Sequence, residues 1–133
     1  MRSAIAVIVL SLLSAVGVQS KAEKLKTRYI GIASWYGKER QGRKMANGQR
    51  FDCYKLTAAS WYFPLGTTIR VANVKNGESV IVTITDRGPS RRLHRLLDLS
   101  KAAADRLGYV NQGVTSVFLY PVASFDTTAA LFN

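Results

Sequence analysis

Two aspartates near the middle of this sequence have the side-chain chemistry that acid–base catalysis needs. Asp86 follows a run of β-branched residues, Val80–Thr85, and stands directly before the turn signal Arg87-Gly88-Pro89. A strand that ends at a turn would hold the Asp86 carboxyl on a rigid support, where active sites are often built. The second aspartate, Asp98, precedes Ser100, where we expect a helix to begin. Because Asp in a turn often binds backbone amides, a purely structural role for Asp86 remains open.

Other reactive side chains are scarce in the chain. It has one cysteine, Cys53, and one histidine, His94. A single cysteine cannot form an internal disulfide, and this pair is too small a ligand set for zinc. His94 stands among arginines in a predicted loop, and we interpret it as a surface residue. We therefore expect neither a metal nor another cofactor.

Composition indicates one folded, strongly basic domain. The chain has 133 residues, of which 47% are hydrophobic and 20% charged, so a packed core is expected. Nineteen Lys and Arg against eight Asp and Glu give a net charge of +11. This excess would suit nucleic acid, anionic membranes or acidic cell-wall polymers. No nucleic-acid-binding motif accompanies it, and we expect no nucleic-acid partner.

The N-terminus predicts export. A basic start at Arg2 precedes the apolar run Ala4–Val18, and small residues at Ser20 and Ala22 offer a cleavage site. This pattern is typical of a signal peptide over residues 1–22, and residues 23–28 follow as a basic linker. An uncleaved membrane anchor is the alternative. After cleavage we expect an exported, basic protein without stable membrane insertion, in the periplasm or elsewhere in a bacterial cell envelope, or extracellular.

The remaining pattern predicts a small, mostly β barrel with one short helix. The helix is expected over Lys101–Leu107, with Ser100 as N-cap and Gly108 as C-terminal stop. Leu99, Ala103 and Leu107 would share one helical face. Turn signals separate five clear runs of strand-forming residues. These runs are Tyr29–Tyr36, Leu56–Ser60, Thr67–Asn73, Val80–Thr85 and Val114–Val122. The domain would span residues 29–122, and residues 123–133 form a tail without a clear pattern.

Six motifs, in order, resemble those of the rare lipoprotein A family. They are G-x-A-S-W-Y-G at 31–37, G-R-x-x-A-N-G-x-x-F-D at 42–52, L-T-A-A at 56–59, P-L-G-T at 64–67, D-R-G-P at 86–89 and D-L-S-x-A-A-A at 98–104. The match covers almost all of residues 31–122, and six motifs at these spacings are specific. The resemblance implies a six-stranded double-psi β-barrel. It also implies an exported lytic transglycosylase that cuts peptidoglycan glycan strands between N-acetylmuramic acid and N-acetylglucosamine and leaves 1,6-anhydro ends. The sequence does not resemble the family's common peptidoglycan-binding C-terminal domain, so we do not expect the protein to be anchored to glycan through such a domain.

The resemblance also implies the site residues. The sugar's own C6 hydroxyl traps the reacting centre, so one carboxyl can act first as acid and then as base, and Asp86 is the candidate. Asp52 matches the family's F-D position and would orient or assist. Arg87 would stabilise the charged form of Asp86 unless its side chain points elsewhere. We expect Asp52 and Asp86 to share a groove. The expected substrate-binding residues are the aromatics Trp35, Tyr36 and Trp61, which would stack on sugars or belong to the core, and the polar residues Asn47, Gln49, Ser60, Arg87 and Asp98, with Gln49 and Ser60 at the groove wall.

Two departures from the family pattern leave two functions open. Family members commonly carry T-A-x-G-E and T-A-A-H, whereas this chain ends the corresponding segments in Gln49 and Ser60. Gln49 cannot transfer a proton, which excludes a two-carboxyl mechanism through that position, and Ser60 cannot replace an imidazole. The first hypothesis is a monomeric lytic transglycosylase that uses Asp86. The second is a non-catalytic, expansin-like module that binds peptidoglycan without cutting it.

Overall fold

Six strands close into a barrel in the computed structural model, which describes residues 28–122. The strands are β1 Tyr29–Tyr36, β2 Thr57–Ala59, β3 Thr68–Asn73, β4 Ser79–Asp86, β5 Leu97–Ser100 and β6 Val114–Val122. Within this range one α-helix, α1 (Lys101–Leu107), follows β5, and short 3₁₀ turns cover Lys38–Arg40 and Arg91–Leu93. The predicted mostly-β barrel with one short helix is confirmed. The predicted signal peptide, all but one residue of the linker, and the tail lie outside the described residues.

The order of strands around the barrel is β1-β5-β2-β4-β3-β6. The pairs β1/β5 and β2/β4 are parallel, and the other four pairs are antiparallel. The two shortest strands, β2 and β5, therefore pair with each other and each has a parallel neighbour on its other side. Alternate residues of the strands fill the interior, for example Ile69, Val71, Val82 and Ile84, all at most 1% exposed. No helix in this part of the chain is long and apolar enough to cross a membrane.

Strand β5 corrects one sequence prediction. Leu99 was expected on the same helical face as Ala103 and Leu107, but it lies in β5, and Leu97 and Leu99 point into the core with Asp98 between them. The sequence pattern missed this strand because four residues are too few to show alternation. The strand also passes into α1 without a turn, so no turn signal marks its end.

The predicted helix ends are confirmed. The Ser100 Oγ accepts a hydrogen bond from Ala103 N at 3.3 Å and donates one to Lys55 O at 2.6 Å. Gly108 ends the helix in the left-handed conformation with φ of +75°, which glycine adopts without strain. Ser100 is completely buried, so its hydroxyl ties the start of α1 to the loop before β2.

We expect Ser100→Ala to lower the free energy of unfolding by about 1–2 kcal/mol, because both the helix cap and the donor to a carbonyl are lost. Urea unfolding with an unchanged m-value would measure this loss. The matched control is Ser90→Ala, since Ser90 is an exposed 3₁₀ N-cap whose side chain makes no capping hydrogen bond. Equal stabilities of the two variants would contradict the role given to Ser100.

Candidate active site

An open groove of about 470 Å³ lies on the barrel beside the end of β4. Both Asp86 and Asp98 line it, together with Trp35, Tyr36 and Trp61. Arg87 lines it as well, so the groove brings together six of the site residues predicted from the sequence. Strands β1, β2, β4 and β5 supply its floor, and the segments that follow β1, β2 and β4 supply its rim.

A row of paired residues across four strands carries the two carboxyls. Ser34 of β1 pairs with Asp98 of β5, Asp98 pairs with Ala59 of β2, and Ala59 pairs with Asp86 of β4. All four residues line the groove. Neighbouring strands are spaced by about 5 Å, so the Cα atoms of the two aspartates lie roughly 10 Å apart across Ala59. Because the side chain between them is only the methyl group of Ala59, the groove stays open over this residue.

A bulge turns Asp86 toward this groove. The β2/β4 register shifts after Ala58, which pairs with Ile84, so that Ala59 pairs with Asp86 and Thr85 is skipped. In regular alternation Asp86 would point inward with Val82 and Ile84, which are core residues. Because a shift of one residue moves a side chain to the opposite face, the extra residue places Asp86 on the side of Ala59 and Asp98.

Main-chain amides orient the Asp86 carboxylate. Its Oδ1 accepts hydrogen bonds from Ala46 N at 2.9 Å and from Arg87 N at 2.8 Å. The Arg87 guanidinium points elsewhere, since its Nη1 donates to Ser60 O at 2.9 Å and to Phe63 O. Arg87 thus fixes the loop after β2, and no ion pair joins it to Asp86 within the described part of the chain.

Asp98 lies in a drier environment. Its side chain is half-buried, and its Oδ1 accepts a hydrogen bond from the Ser34 hydroxyl. Burial raises the pKa of the Asp98 carboxyl, while the Ser34 hydrogen bond and the charges of Arg95 and Arg40 act in the opposite direction. The net direction is upward, so the protonated form of this groove carboxyl is favoured relative to an ordinary Asp.

The aromatic residues have different roles in the groove wall. Trp61 is 43% exposed, its Nε1 donates to Pro89 O at 2.8 Å, and the Arg91 guanidinium lies 4.7 Å from its ring centre. Trp35 is half-buried against the core, and its Nε1 donates to Val110 O at 3.1 Å. Both indoles are therefore held in fixed orientations, and Trp61 presents the larger accessible surface.

Tyr36 is a core residue beside the groove. Its ring packs against Phe51 at 4.6 Å between centres and is 6% exposed, so it does not offer a face for stacking. The hydroxyl is buried and has no hydrogen-bond partner among residues 28–122. Burial, with further contributions from Asp86 and Asp98, raises the pKa of this phenol. The raised pKa keeps Tyr36 in its neutral form.

Asp52 does not line the groove, contrary to the expectation of one shared with Asp86. Its Oδ1 accepts hydrogen bonds from Tyr54 N at 3.0 Å and from Gln41 Nε2 at 3.3 Å. The Tyr54 amide, the Gln41 side chain and the charge of Lys55 hold the pKa of Asp52 below its ordinary value. The carboxylate therefore caps its own turn and favours the charged form.

Three further predicted residues lie outside the groove lining. Asn47 and Gln49 are exposed, and the Asn47 Nδ2 donates to Gln49 Oε1 at 3.2 Å. Their turn contributes the Ala46 amide to Asp86 rather than a side chain. Ser60 is completely buried, and its Oγ donates to Leu96 O at 3.0 Å. It connects the segment after β2 to the segment that leads to Asp98.

Several groove residues were not predicted from the sequence, among them Ser34, Arg40, Ala59 and Arg95. Ser34 and Ala59 stand inside recognised motifs, but only the strand register shows that they neighbour the aspartates. For Arg95 there was one indication of a binding role in the sequence, because this residue belongs to the basic stretch after Pro89. Within residues 28–122 no group of acidic, His and Cys side chains is arranged to hold a metal ion.

The sequence model of the DPBB_1 family, described as lytic transglycolase, matches residues 29–119, and the chain belongs to this family. An endolytic peptidoglycan transglycosylase RlpA of Neisseria meningitidis serogroup B is 51% identical over 87 residues, which are 65% of this chain and 36% of that protein. The RlpA of Pseudomonas aeruginosa PAO1 is 48% identical over 90 residues, covering 68% and 26%. A probable RlpA of Aquifex aeolicus is 52% identical over 88 residues, covering 65% and 38%. The chain thus spans about a quarter to two fifths of these curated relatives.

Solved structures share the fold. The Clavibacter michiganensis expansin superposes with a TM-score of 0.57 at 26% identity, over 73% of this chain and 51% of that one. The Streptomyces papain inhibitor has a TM-score of 0.59 at 23% identity, over 74% and 97%, and supports the fold alone. The double-psi β-barrel that the sequence resemblance implied is confirmed.

The two buried tyrosines of this region give a matched test of the site geometry. We expect Tyr36→Phe to leave the free energy of unfolding unchanged or to raise it by up to about 1 kcal/mol, because it removes an unpartnered buried hydroxyl. Tyr109→Phe should lower it by about 1 kcal/mol, since the Tyr109 hydroxyl donates to Ser34 O at 2.8 Å. Urea unfolding measures both, and an equal loss in the two variants would contradict the unpartnered state of Tyr36.

Proposed function

We propose that this protein is a lytic transglycosylase that acts on peptidoglycan glycan strands. It would cleave the bond between N-acetylmuramic acid and N-acetylglucosamine and form a 1,6-anhydro end. The observation that carries the proposal is the pair of carboxyls, Asp86 and Asp98, on one side of a groove with Ala59 between them. The names of the relatives with 48–52% identity support the same reaction and substrate.

The groove has the groups that this reaction needs. Cleavage requires a proton for the leaving oxygen and a group that accepts the proton of the attacking hydroxyl. Because the attacking hydroxyl is C6–OH of the muramic acid itself, no protein nucleophile is needed. Asp86 is held by two amides on a strand end, so its carboxylate is already oriented before substrate binds. We assign no proton transfer to Asp52, whose carboxylate lies outside the groove lining.

Substrate binding would rest on the fixed indoles and on charge. Trp61 offers an accessible ring face at the groove rim, and Trp35 forms part of the floor. Arg40 and Arg95 line the same groove and would attract the carboxylates of an anionic wall polymer. The net charge of +11 acts in the same direction over longer distances.

The cellular setting of the proposal is the bacterial envelope. A signal peptide over residues 1–22 and a linker over 23–28 would deliver the barrel of residues 29–122 to the periplasm or cell exterior, where the substrate lies. The protein would act there as a monomer on glycan strands, without a nucleic-acid partner and without stable membrane insertion. The reaction as written uses carboxyls and a sugar hydroxyl alone and calls for no cofactor.

Asp86→Asn tests the proposal directly. We expect the purified wild-type chain to release 1,6-anhydro-muropeptides from sacculi and the variant to release them about 10²–10⁴-fold more slowly. An asparagine Oδ1 can still accept the Ala46 and Arg87 amides, so folding and sacculus binding should persist. Mass spectrometry of the products and co-sedimentation with sacculi are the measurements. Asp105→Asn, on the exposed side of α1, is the control and should cleave normally.

The same experiment separates the second hypothesis. The structural likeness to an expansin favours a non-catalytic wall-binding module. If wild type and Asp86→Asn bind sacculi equally and neither releases anhydro ends, the chain is such a module. If Asp86→Asn loses its thermal transition while Asp105→Asn keeps it, Asp86 has the structural role that its amide hydrogen bonds also permit.

A further inference from the structure

The two groove carboxyls differ in what surrounds them. Asp86 accepts hydrogen bonds from two main-chain amides on one oxygen and stands half-buried at the end of a strand. Asp98 lies in β5 between the core residues Leu97 and Leu99, and within residues 28–122 its side chain has one hydrogen-bond partner, the Ser34 hydroxyl. A mechanism with separate acid and base needs such a difference between two nearby carboxyls.

The loop after β4 keeps the space between these carboxyls narrow but open. A Cβ added to Gly88 would lie 3.6 Å from the Ala59 Cβ and 4.0 Å from Asp98 Oδ2. A side chain at this position would therefore fill the space beside both residues, and the φ of +149° favours glycine, which leaves that space open. Together with the methyl group of Ala59, it leaves a slot that reaches the second oxygen of Asp98.

Several charged or titratable groups face Asp98. Arg95 precedes it in its own segment, Arg40 faces it from the 3₁₀ turn after β1, and Tyr36 and Tyr109 approach from β1 and from the segment after α1. Asp86 faces it from β4 across Ala59. Within residues 28–122 neither arginine forms an ion pair with the Asp98 carboxylate, so no direct partner fixes its charge.

We propose that Asp98 donates the proton to the leaving oxygen and that Asp86 accepts the proton of the attacking C6 hydroxyl. This inference rests on the proposed transglycosylase function. As the bond from C1 of muramic acid to the bridging oxygen breaks, the Asp98 proton passes to that oxygen and gives the C4 hydroxyl of N-acetylglucosamine. The C6 oxygen forms the new bond to C1, and its proton passes to Asp86. Exchange with water then restores both carboxyls.

The raised pKa of Asp98 supports its role as proton donor. The pair of Asp86 and Asp98 also explains how the chain can act without an acid at position 49. Burial, the largest cause, favours the protonated form that a donor requires. The sequence excluded a second carboxyl at Gln49, but the strand register supplies one at Asp98.

The first test compares amide variants on two substrates. On sacculi, Asp98→Asn should release anhydro-muropeptides about 10²–10⁴-fold more slowly than wild type, while Asp105→Asn is unaffected. On a nitrophenyl glycoside of a GlcNAc–MurNAc disaccharide, whose leaving group needs no proton, Asp98→Asn should lose far less, whereas Asp86→Asn should lose activity on both substrates. Wild-type rates for Asp98→Asn on sacculi, or equal losses on the two substrates, would overturn the assignment.

The second test does not depend on the folding of Asp98→Asn. A donor acts only when protonated, so cleavage should be present below the pKa of Asp98 and lost above it. Ser34→Ala removes a hydrogen bond that lowers this pKa, and the alkaline limb of the kcat/KM profile should therefore move to higher pH. Ser116→Ala on β6 is the matched control and should leave the limb in place. An unmoved limb in Ser34→Ala would overturn the donor role.

The outcomes also separate this inference from the proposed function. If wild type cleaves sacculi and Asp98→Asn cleaves them equally well, the proton-donor assignment fails and the transglycosylase function stands. If wild type forms no anhydro ends at any pH, both are wrong.

Discussion

The pairing of β5, β2 and β4 is the constraint on which the site depends. Strand β2 has only three residues, yet it holds an antiparallel neighbour on one side and a parallel neighbour on the other. Ala59 pairs with an aspartate on each side, and the bulge at Thr85 turns Asp86 to the face that Asp98 already occupies. Without that extra residue, alternation would direct Asp86 toward the core. One irregularity in one ladder thus decides whether the groove has one carboxyl or two.

Buried polar side chains keep these short strands in register. Ser100 joins the end of β5 to the loop before β2, and Ser60 donates to the Leu96 carbonyl just before β5. Arg87 reaches over to the carbonyls of Ser60 and Phe63, so the loop after β4 is tied to the loop after β2. Each of these bonds satisfies a carbonyl near the groove, and leaving one unpaired costs about 1–3 kcal/mol where it is buried. The loops around the groove are therefore fixed by hydrogen bonds from side chains to main-chain carbonyls, which is how a small barrel can orient carboxyls without a large core.

Most of the fold could be predicted from the sequence, because its signals are local. The run Val80–Thr85 and the N-cap and C-cap residues Ser100 and Gly108 each encode their structure through nearby backbone geometry. Strand β5 could not be predicted, since Leu97–Ser100 is too short for a periodic pattern and is stabilised by partners 39 to 64 residues distant in sequence. The resemblance to a family predicted the barrel as a whole, but it did not predict how the strands pair residue by residue.

The sequence by itself determined which residue types are available for chemistry: several aspartates, one histidine, one cysteine, and a glutamine at position 49. It also determined that Asp86 would end a strand, because β-branched residues and a Gly-Pro turn specify that locally. Only the tertiary structure decided that Asp52 would cap its own turn outside the groove lining, that Tyr36 would enter the core, and that Asp98 would join Asp86. The physical reason is that the burial, charge environment and neighbours of a carboxyl depend on strand pairings between distant segments, which no local pattern of residues specifies.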